Sequence, residues 1–371
     1  ANQWSTFFMS FSISESVKAI KPYEAGKPLS EVEREYGISN AVKLASNENP
    51  FGCSPKVAQA VLSKLSAMNR YPEPVPFILC QKLAEKYHVQ MENLVIGNGS
   101  DDIIALLAHG FLDPGQEAVM PLPSFLMYEI SVKTAKGVPV MVPLKDFSTN
   151  LDGLVKAVTP KTKLVFVTNP FNPTGAVITK DEFLRFADQL PDSVLIVVDE
   201  AYIEFVRDDS VYNALDVPLT DPRIVTLRTF SKAYGLAGFR IGYGVMDKAV
   251  AEILNRIRQP FNVNALAQVA AQAALEDTDF LSKTISGTHQ GIDFLTQKFT
   301  EAGFEVLPTQ ANFLMMDVKT NSREICEKLL RKGVVVRSLA SYGYDTFIRI
   351  NAGTDQENKI CVDALISVAG K

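Results

Sequence analysis

Short apolar runs recur between residues 94 and 245, and segments with helical spacing separate most of them. The apolar runs are "LVIG", "EAVMP", "VPVMV", "KLVFVT", "VLIVVD", "IVTLR" and "RIGYGV", and the helical segments include "DDIIALLAHGF" and "KDEFLRFADQL". Strands rich in Val and Ile without polar alternation are buried on both faces, and helical crossovers between them indicate parallel strands. This pattern predicts an α/β fold whose large domain is a doubly wound, mainly parallel sheet.

The pattern changes after residue 245, where a long helical stretch covers residues 247–302. Four apolar runs follow, "FEVLP", "NFLMMDV", "VVVR" and "FIRI", together with the helical segment "SREICEKLLRK" and a closing helix from about Asp355. We therefore expect a large domain over residues 41–265 and a smaller α+β domain over residues 266–371. Residues 1–40 have no core of their own and are predicted to form an arm that packs on the small domain or on a second subunit.

Size and composition fit this division and narrow the class of partner. The chain has 371 residues, which exceeds the size at which one hydrophobic core usually stops growing. Its formal net charge is -5, and Lys and Arg are scattered, so no basic face is expected to attract nucleic acid or anionic lipid. The expected partners are small molecules and a second copy of the chain, not nucleic acid or a membrane.

The cysteines and histidines lack the spacing of a metal site or a disulfide framework. The sequence contains four cysteines and three histidines, all far apart, so no metal site is predicted and the thiols are expected to be reduced. The segment "ANQWSTFFMSFSI" has no Lys or Arg before Lys18, and no apolar run reaches about 18 residues. We expect neither a targeting leader nor a membrane span, and hence a cytoplasmic protein.

In open α/β sheets, ligands bind beyond the carboxyl ends of the strands, so the residues that follow each strand are the candidates for a site. Gly97 and Gly99 bracket a turn that leads through Ser100 into a helix, which suits a phosphate, although an ordinary βα turn fits the same residues. Asp199 ends the run "VLIVV", where a carboxylate needs a partner. A protonated ring nitrogen and a salt bridge both meet that need.

The segment "RTFSKAYGLAGFR", residues 228–240, contains the candidate nucleophile. Lys232 follows a buried strand, with hydroxyls at Thr229 and Ser231 before it and Arg240 after it. An amine beside cations and apolar walls can have a lowered pKa, and only the neutral amine attacks a carbonyl to form an imine. Most lysines are solvated surface groups, but this context favours a catalytic role.

Six motifs occur in order across nearly the whole chain: "KLASNENPFG", "NRYPE", "NPFNPTG", "VVDEAY", "TFSKAYGLAGFRIGY" and "IRINAGT". Together they resemble those of the pyridoxal-phosphate-dependent aminotransferases of fold type I, the aspartate aminotransferase superfamily. The opening "IKPYEAGKP", followed by "LASNENPFG" and "RYPE", is similar to the histidinol-phosphate aminotransferases within it. The resemblance implies pyridoxal 5'-phosphate as cofactor. It also implies transamination of L-histidinol phosphate with 2-oxoglutarate to imidazole acetol phosphate and L-glutamate, a step of histidine biosynthesis.

The resemblance implies roles for residues around the cofactor ring. Lys232 would hold the cofactor covalently and later move the α-proton of the substrate. Asp199 would pair with the pyridinium nitrogen, keeping it protonated so that the ring accepts electrons. Tyr202 and Asn172 would hydrogen-bond the phenolic oxygen of the ring.

The resemblance also implies two anion sites. The cofactor phosphate would bind at Ser100, Asp101, Thr229, Ser231 and Arg240. Tyr71 would reach this phosphate from the neighbouring subunit of a homodimer. Arg349 would bind the anionic end of the substrate, and a guanidinium fork suits both the phosphate of histidinol phosphate and the carboxylate of glutamate. Arg337, Tyr23 and Asn47 would line the same pocket.

One position departs from the family pattern. Most relatives have a tyrosine stacked on the cofactor ring in a segment like "P-T-Y-x-x-Y", whereas this chain reads "PSFLMY". Phe125 can still stack on the ring but has no hydroxyl. Whether Tyr128, three residues later, compensates is open from the sequence.

Three other functions compete with histidinol phosphate transamination. An aromatic amino-acid aminotransferase and a threonine-phosphate decarboxylase would use nearly the same pocket. A binding or regulatory module would keep the fold without the chemistry. The intact set of Lys232, Asp199, Tyr202 and Arg240 favours an enzyme, as does the lack of an appended DNA-binding segment.

Overall fold

The computed structural model of the chain describes residues 13–20, 22, 29–38 and 40–370. Its strands are Val42–Lys43 (β1), Leu94–Gly97 (β2), Glu117–Leu122 (β3), Val138–Pro143 (β4), Thr162–Thr168 (β5), Leu195–Asp199 (β6), Ile224–Thr229 (β7), Gly242–Val245 (β8), Glu305–Val306 (β9), Phe313–Asp317 (β10), Val334–Val335 (β11), Arg337–Ser338 (β12) and Phe347–Asn351 (β13). Its α-helices are Glu15–Lys18 (α1), Leu29–Tyr36 (α2), Pro55–Lys64 (α3), Phe77–Tyr87 (α4), Ser100–Phe111 (α5), Leu126–Thr134 (α6), Leu151–Ala157 (α7), Lys180–Ala187 (α8), Lys248–Ile257 (α9), Ala265–Glu276 (α10), Thr278–Glu301 (α11), Ser322–Leu330 (α12) and Asp355–Ala369 (α13). Across the described residues, no helix has both the length and the apolar character needed to cross a membrane.

The larger sheet has seven strands in the order β2-β8-β7-β6-β5-β3-β4. Neighbouring strands are parallel except at β8, which runs antiparallel to both β2 and β7. Hydrophobic clusters cover both faces, so the apolar runs of β5 and β6 are buried on both sides. The predicted doubly wound, mainly parallel sheet is confirmed. The antiparallel direction of β8 was not part of that prediction.

Local sequence signals set where helices begin around this sheet. Thr179 and Glu182 form a capping box at the start of α8, and Thr354 and Glu357 form another at α13. Helix α5 instead follows Gly99, whose φ of 81° lies in the left-handed region that favours glycine, and no side chain caps it. The first N–H groups of α5 are therefore open toward the carboxyl edge of the sheet.

The smaller sheet has four antiparallel strands in the order β12-β13-β10-β9. Residues of α11, α12 and α13 share a core with this sheet that includes Phe299, Ile325, Leu314 and Leu365. The predicted smaller α+β domain is confirmed. The run "VVVR" is not one strand, however, because Val334–Val335 pair in parallel with β1 whereas Arg337–Ser338 pair with β13.

Packing crosses both predicted domain boundaries. Val42 and Leu44, placed by prediction in the large domain, lie in the core of the smaller sheet because β1 pairs with β11. Helix α10, placed by prediction in the small domain, packs through Ala267 and Ala271 into the cluster that contains α3 and α4. Boundaries at residues 41 and 265 would therefore cut through packed cores, and the division of the chain into domains stays a prediction.

The described part of the N-terminal arm contacts both halves of the molecule. The hydroxyl of Tyr36 donates to Glu327 Oε1 on α12 at 3.2 Å, and Lys133 Nζ on α6 donates to the carbonyl oxygen of Ala19 at 3.3 Å. The expected contact of the arm with a second subunit stays a prediction.

Candidate active site

The carboxyl ends of β2, β5, β6 and β7 meet at one edge of the larger sheet, and a cavity of about 430 Å³ lies beyond them. Ten residues predicted from the sequence line this cavity: Ser100, Asp101, Phe125, Asn172, Asp199, Tyr202, Thr229, Ser231, Lys232 and Arg240. A larger cleft of about 720 Å³ lies between α8 and residues 209–224. That cleft meets the amino-terminal start of β7, so none of these ten side chains reaches it.

Lys232 lies on the cavity wall with its amine held between two neighbours. Its Nζ donates to the carbonyl oxygen of Ser46 at 3.1 Å and lies 5.7 Å from the centre of the Tyr202 ring. Burial, together with the charges of Arg349 and Arg240, lowers the pKa of Lys232 from 10.5 to about 8, although Glu48 and Asp101 oppose the fall. A larger fraction of this amine is neutral near pH 7 than of a solvated lysine, which makes it a nucleophile.

Asp199 is the last residue of β6 and is 5% exposed. Its Oδ2 accepts a hydrogen bond from the Tyr128 hydroxyl at 2.6 Å, and its Oδ1 accepts one from the backbone N–H of Ala201 at 3.2 Å. Burial raises the pKa of Asp199 from 3.8 to about 6, although both hydrogen bonds oppose the rise. Within the described residues no lysine or arginine pairs with this carboxylate, so it offers a negative charge to the cavity.

Arg240 and the start of α5 form one end of the cavity. Arg240 Nη1 lies 3.4 Å from Ser231 Oγ, and a Cβ atom at Gly99 would lie only 2.7 Å from Arg240 Nη2. The backbone N–H of Ser231 donates to Thr229 Oγ1 at 3.1 Å, which holds the two hydroxyls together. Open N–H groups, hydroxyls and a guanidinium around one space suit a phosphate dianion.

The two acidic residues at the start of α5 point in different directions. Asp102 Oδ2 accepts hydrogen bonds from Asn98 N at 2.9 Å and from Asn262 Nδ2 at 2.7 Å, which turns it away from the cavity. Asp101 stays on the cavity wall, where its Oδ2 lies 3.5 Å from Arg240 Nη2 and burial raises its pKa. An anion at this end would thus compete with Asp101 for Arg240.

Two side-chain amides converge on the hydroxyl of Tyr202. Asn47 Nδ2 donates to it at 3.0 Å, and Asn172 Nδ2 does so at 3.5 Å. Since the oxygen accepts from both amides, the hydroxyl hydrogen of Tyr202 is left to be donated elsewhere. An acceptor in the cavity, beside Asn172, is in position to receive it.

Arg349 lies on β13 of the smaller sheet and bridges to the larger one. Its Nη1 donates to Asn172 Oδ1 at 2.6 Å, and its Nη2 donates to the carbonyl oxygen of Ala45 at 2.7 Å. The guanidinium also lies 5.3 Å from the centre of the Phe313 ring. These contacts place a buried positive charge next to the wall residue Asn172, and that charge lowers the pKa of Lys232.

Comparison with known proteins identifies the class of enzyme. Residues 39–365 match the family described as aminotransferase class I and II. This chain belongs to that family. The aminotransferase interpretation of its sequence is confirmed, because a buried lysine at the carboxyl edge of the sheet and a match over most of the chain agree.

Relatives of this aminotransferase carry a more specific name. It is 44% identical to histidinol-phosphate aminotransferase 2 of Carboxydothermus hydrogenoformans over 95% of this chain and 98% of that protein. It is also 44% identical to histidinol-phosphate aminotransferase of Moorella thermoacetica, over 95% of this chain and 91% of that protein. The crystal structure of histidinol-phosphate aminotransferase from Sinorhizobium meliloti in complex with pyridoxal-5'-phosphate superposes with a TM-score of 0.89, at 28% identity, over 98% of this chain and 99% of that one. The predicted fold is therefore confirmed.

Not all the residues predicted for the substrate pocket reach the cavity of this aminotransferase. Asn47 is fully buried behind Tyr202, where its amide is engaged, so it does not line the wall. Arg337 lies opposite Arg349 in the register of β12 and β13, but it lines a separate groove with Cys326. Tyr23 lies outside the described residues.

Tyr71 lies outside the cavity of its own chain. Its side chain is 82% exposed, and its ring stacks on Phe261 with 4.7 Å between the ring centres. The predicted role of Tyr71 at the phosphate site of a second subunit stays a prediction.

The cavity also contains residues that the sequence analysis did not assign to it. Ser46, Glu48, Tyr128 and Thr168 lie on its wall. Thr168 ends β5 next to Asp199 on β6, so the rule that inspects strand ends could have found it. The others come from a loop and from a helix, and only the folded chain brings them to the cavity.

Proposed function

We propose that this aminotransferase uses pyridoxal 5'-phosphate to transfer the amino group of L-histidinol phosphate to 2-oxoglutarate, giving imidazole acetol phosphate and L-glutamate. The reaction class rests chiefly on one observation: Lys232, with its lowered pKa, shares a cavity with the uncompensated carboxylate of Asp199. The choice of substrate rests on the relatives named histidinol-phosphate aminotransferase. The reaction belongs to histidine biosynthesis.

The residues around the cavity fit this cofactor in three respects. Ser231, Arg240 and the open start of α5 suit its phosphate, Asp199 suits a protonated ring nitrogen, and Lys232 suits its aldehyde. When bound, pyridoxal phosphate supplies a carbonyl that accepts the amino group and a ring that accepts electrons from the substrate Cα. The protein supplies binding, orientation and proton transfer.

We assign proton transfer at the substrate Cα to Lys232. Its pKa of about 8 is close to working pH, so Nζ can both take a proton from Cα and return it to the product. The contact with the carbonyl of Ser46 holds the amine on one side of the cavity. A base held on one side removes only the proton that faces it, which favours transamination over loss of another group.

We assign the phenolic oxygen and the face of the cofactor ring to three wall residues. Tyr202 would donate its remaining hydroxyl hydrogen to the phenolic oxygen, and Asn172 would donate the second hydrogen of its amide. Phe125 would stack on the ring face. The hydroxyl that most relatives carry at this position would be missing from the substrate side.

We assign the anionic end of both substrates to Arg349. Its contacts with Asn172 and Ala45 orient the guanidinium beside the cavity wall. A planar guanidinium binds a phosphate or a carboxylate through two parallel hydrogen bonds, so one residue serves histidinol phosphate and glutamate in turn.

A panel of substrates tests the choice of substrate. Half-reaction rates with histidinol phosphate, phenylalanine and phosphothreonine are followed by cofactor absorbance, while carbon dioxide release is measured in parallel. We expect the highest kcat/KM with histidinol phosphate and no carbon dioxide. A preference for phenylalanine would assign an aromatic aminotransferase instead, and carbon dioxide from phosphothreonine would assign a decarboxylase.

We also propose that the enzyme is a homodimer in which Tyr71 completes the phosphate site of the partner. Exposed apolar side chains occur close to Tyr71 in the sequence, with Leu62 68% exposed and Phe77 55% exposed. Mixed dimers of Lys232→Ala and Tyr71→Ala chains test this proposal. If Tyr71 acts on the partner, one site of each mixed dimer has both residues and activity returns. If it acts on its own chain, neither site is restored.

Cytoplasmic location is the remaining part of the proposal. Cys53, Cys80, Cys326 and Cys361 are free thiols, as expected for a reducing compartment. Cell fractionation that recovers the enzyme with cytoplasmic markers would support it, and recovery from an oxidising compartment would contradict it.

A further inference from the structure

The closest hydrogen bond to Asp199 comes from a residue without an assigned role in the reaction. Tyr128, in the first turn of α6, is fully buried, and its hydroxyl donates to Asp199 Oδ2 at 2.6 Å. Its oxygen also lies 2.9 Å from Thr168 Oγ1. Because the single hydrogen of Tyr128 goes to the carboxylate, Thr168 must be the donor in that second contact. The three groups form a directed chain from Thr168 through Tyr128 to Asp199.

Packing fixes where the hydroxyl points. The Tyr128 ring stacks on Phe166 at 4.6 Å with an interplanar angle of 14°, and meets the Phe125 ring edge-on at 5.7 Å and 86°. Thr168 and Asp199 are register partners at the ends of adjacent parallel strands, β5 and β6. The donor on α6 is therefore held at a fixed position relative to the carboxylate, which also accepts from Ala201 N on its other oxygen.

A tyrosine at this position stabilises the Asp199 carboxylate without cancelling its charge, which a cationic residue could not do. A lysine or arginine beside Asp199 would cancel its charge, and a ring nitrogen would then face a neutral pair. A neutral hydroxyl stabilises the carboxylate and leaves its full negative charge available. The same hydroxyl restricts rotation of the carboxylate about its own axis.

We propose that Tyr128 is a positioning residue for the cofactor, whose hydroxyl orients the Asp199 carboxylate and keeps it ionised to pair with the protonated ring nitrogen. This inference rests on the assignment of Asp199 under the proposed function. It also answers whether Tyr128 compensates for the hydroxyl that Phe125 lacks. The hydroxyl of Tyr128 contacts Asp199, so it does not replace a hydroxyl on the substrate side.

The charges around Asp199 show why such a donor is needed. Burial raises its pKa, and the nearby carboxylates of Asp101 on α5 and of the next residue, Glu200, raise it further. Tyr202, whose own pKa is raised by burial, also faces it from the following turn. The Tyr128 hydrogen bond is the largest influence that lowers the pKa of Asp199. Without it, the carboxyl would be protonated over more of the neutral range.

The test measures Asp199 directly. In the full-length enzyme freed of cofactor, the pKa of the Asp199 carboxyl is followed by carbon-13 NMR in the wild type and in Tyr128→Phe. Loss of a hydrogen bond to a charged group should raise this pKa by about one unit from its value of about 6. The smaller ionised fraction should weaken pyridoxal phosphate binding by about twofold at pH 7 and by nearly tenfold at about pH 5. With cofactor bound, kcat should fall while KM changes little. An unchanged pKa together with unchanged cofactor affinity would overturn the proposal.

Tyr243→Phe is the matched control. Tyr243 is equally buried, and its hydroxyl lies 2.7 Å from that of Tyr87, away from the cavity. Both variants lose one buried hydroxyl contact, so both should lose similar stability, but only Tyr128→Phe should move the pKa of Asp199. Equal shifts in both variants would show a general loosening of the fold and contradict a positioning role.

Two further measurements keep the test decisive. Replacing Tyr128 with 3-fluorotyrosine retains the hydroxyl but makes it a stronger donor, so the pKa of Asp199 should move down instead of up.

In an Asp199→Asn background, Tyr128→Phe should cause no further loss of cofactor affinity. If Asp199→Asn itself leaves affinity unchanged, the proposed role of Asp199 fails. If only Tyr128→Phe has no effect, the role of Tyr128 alone fails. None of these readouts depends on which amino substrate the enzyme uses.

Discussion

Asp199 and Glu200 are consecutive buried carboxylates at the end of β6, and they receive different kinds of hydrogen-bond donor. Glu200 Oε2 accepts from Arg228 Nε at 2.9 Å and from Arg228 Nη2 at 2.8 Å, while its Oε1 accepts from Ala214 N. Among the residues that the structure describes, the donors to Asp199 are the neutral groups of Tyr128 and Ala201. Burial raises the pKa of both carboxyl groups.

The difference follows from the geometry of a strand. Successive side chains point to opposite faces, so Asp199 faces the cavity while Glu200 faces Arg228 and Asn213 on the other side. A buried ion pair that closes on itself holds the fold together and is costly to break. A buried carboxylate left with neutral donors keeps its charge for a ligand. Five predictions test this contrast between a functional side and a structural side of the same sheet.

The largest effect is expected from a comparison of two lysines, Lys232 on the cavity wall and the exposed Lys86 away from it. Lys232→Ala removes the amine to which we assign proton transfer at Cα, so turnover should fall by more than about 10³-fold. Lys86, whose Nζ donates to the Tyr234 hydroxyl at 2.9 Å on the structural side, is the matched control. Steady-state kinetics of Lys86→Ala should give turnover close to that of the wild type; equal losses in both variants would remove the contrast.

The two carboxylates should separate activity from stability. Asp199→Asn should lower kcat by about 10²- to 10³-fold with little loss of stability, since it removes an electrostatic interaction with the cofactor. Glu200→Gln should instead lower the free energy of unfolding by about 3–5 kcal/mol, because it leaves Arg228 buried and unpaired. Kinetics and urea denaturation on both proteins check this pair. Similar profiles for the two variants would contradict the assignment.

The cofactor-free enzyme should show the burial of Asp199 in the pH dependence of its stability. The pKa of Asp199 is about 6 in the folded protein and 3.8 ordinarily, so this carboxyl binds a proton more tightly in the folded state than in the unfolded state. The free energy of unfolding should therefore fall as pH rises from about 4 to about 6, by about 3 kcal/mol for this group. Asp199→Asn should lack this part of the fall. Thermal or urea denaturation measures the free energy of unfolding of both proteins against pH. If it changes with pH in the same way in both, Asp199 does not cause this pH dependence.

The two buried arginines extend the comparison to substrate binding. Arg228 donates to the carboxylate of Glu200 away from the cavity, and Arg349 donates to oxygens of Asn172 and Ala45 beside the cavity wall. Arg349→Ala should raise KM for histidinol phosphate and for glutamate by about ten- to a hundredfold, as expected for loss of charge-assisted hydrogen bonds. Arg349→Lys should recover part of this loss. Unchanged KM values for both substrates would remove Arg349 from the anion site.

The smallest effect is expected at Phe125. It lines the cavity through its ring, and the hydroxyl that stabilises Asp199 belongs to Tyr128. Phe125→Tyr restores the side chain of most relatives and keeps the stacking surface, so kcat and KM should each change by less than about fivefold. A much larger gain in kcat would mean that a hydroxyl on the substrate side limits this enzyme.

Local patterns predicted the strands and most of the cavity, because a buried strand is an unbroken apolar run and its following residues lie at one edge. Asp199 and Thr229 were found in this way, and the resemblance to a family added roles that spacing does not carry. The β1–β11 pairing was missed because strands of two residues show no period. The contact of Tyr128 with Asp199 depends on how α6 packs against the sheet, and the partner of Tyr71 requires a second chain.

The most direct test of the account asks whether Lys232 is the lysine that binds the cofactor. The enzyme loaded with pyridoxal phosphate is reduced with borohydride, digested and mapped by mass spectrometry, with Lys232→Ala as control. The account predicts a reduced cofactor adduct on Lys232 and none in the variant. An adduct confined to another lysine, or no adduct in the wild type, would contradict it.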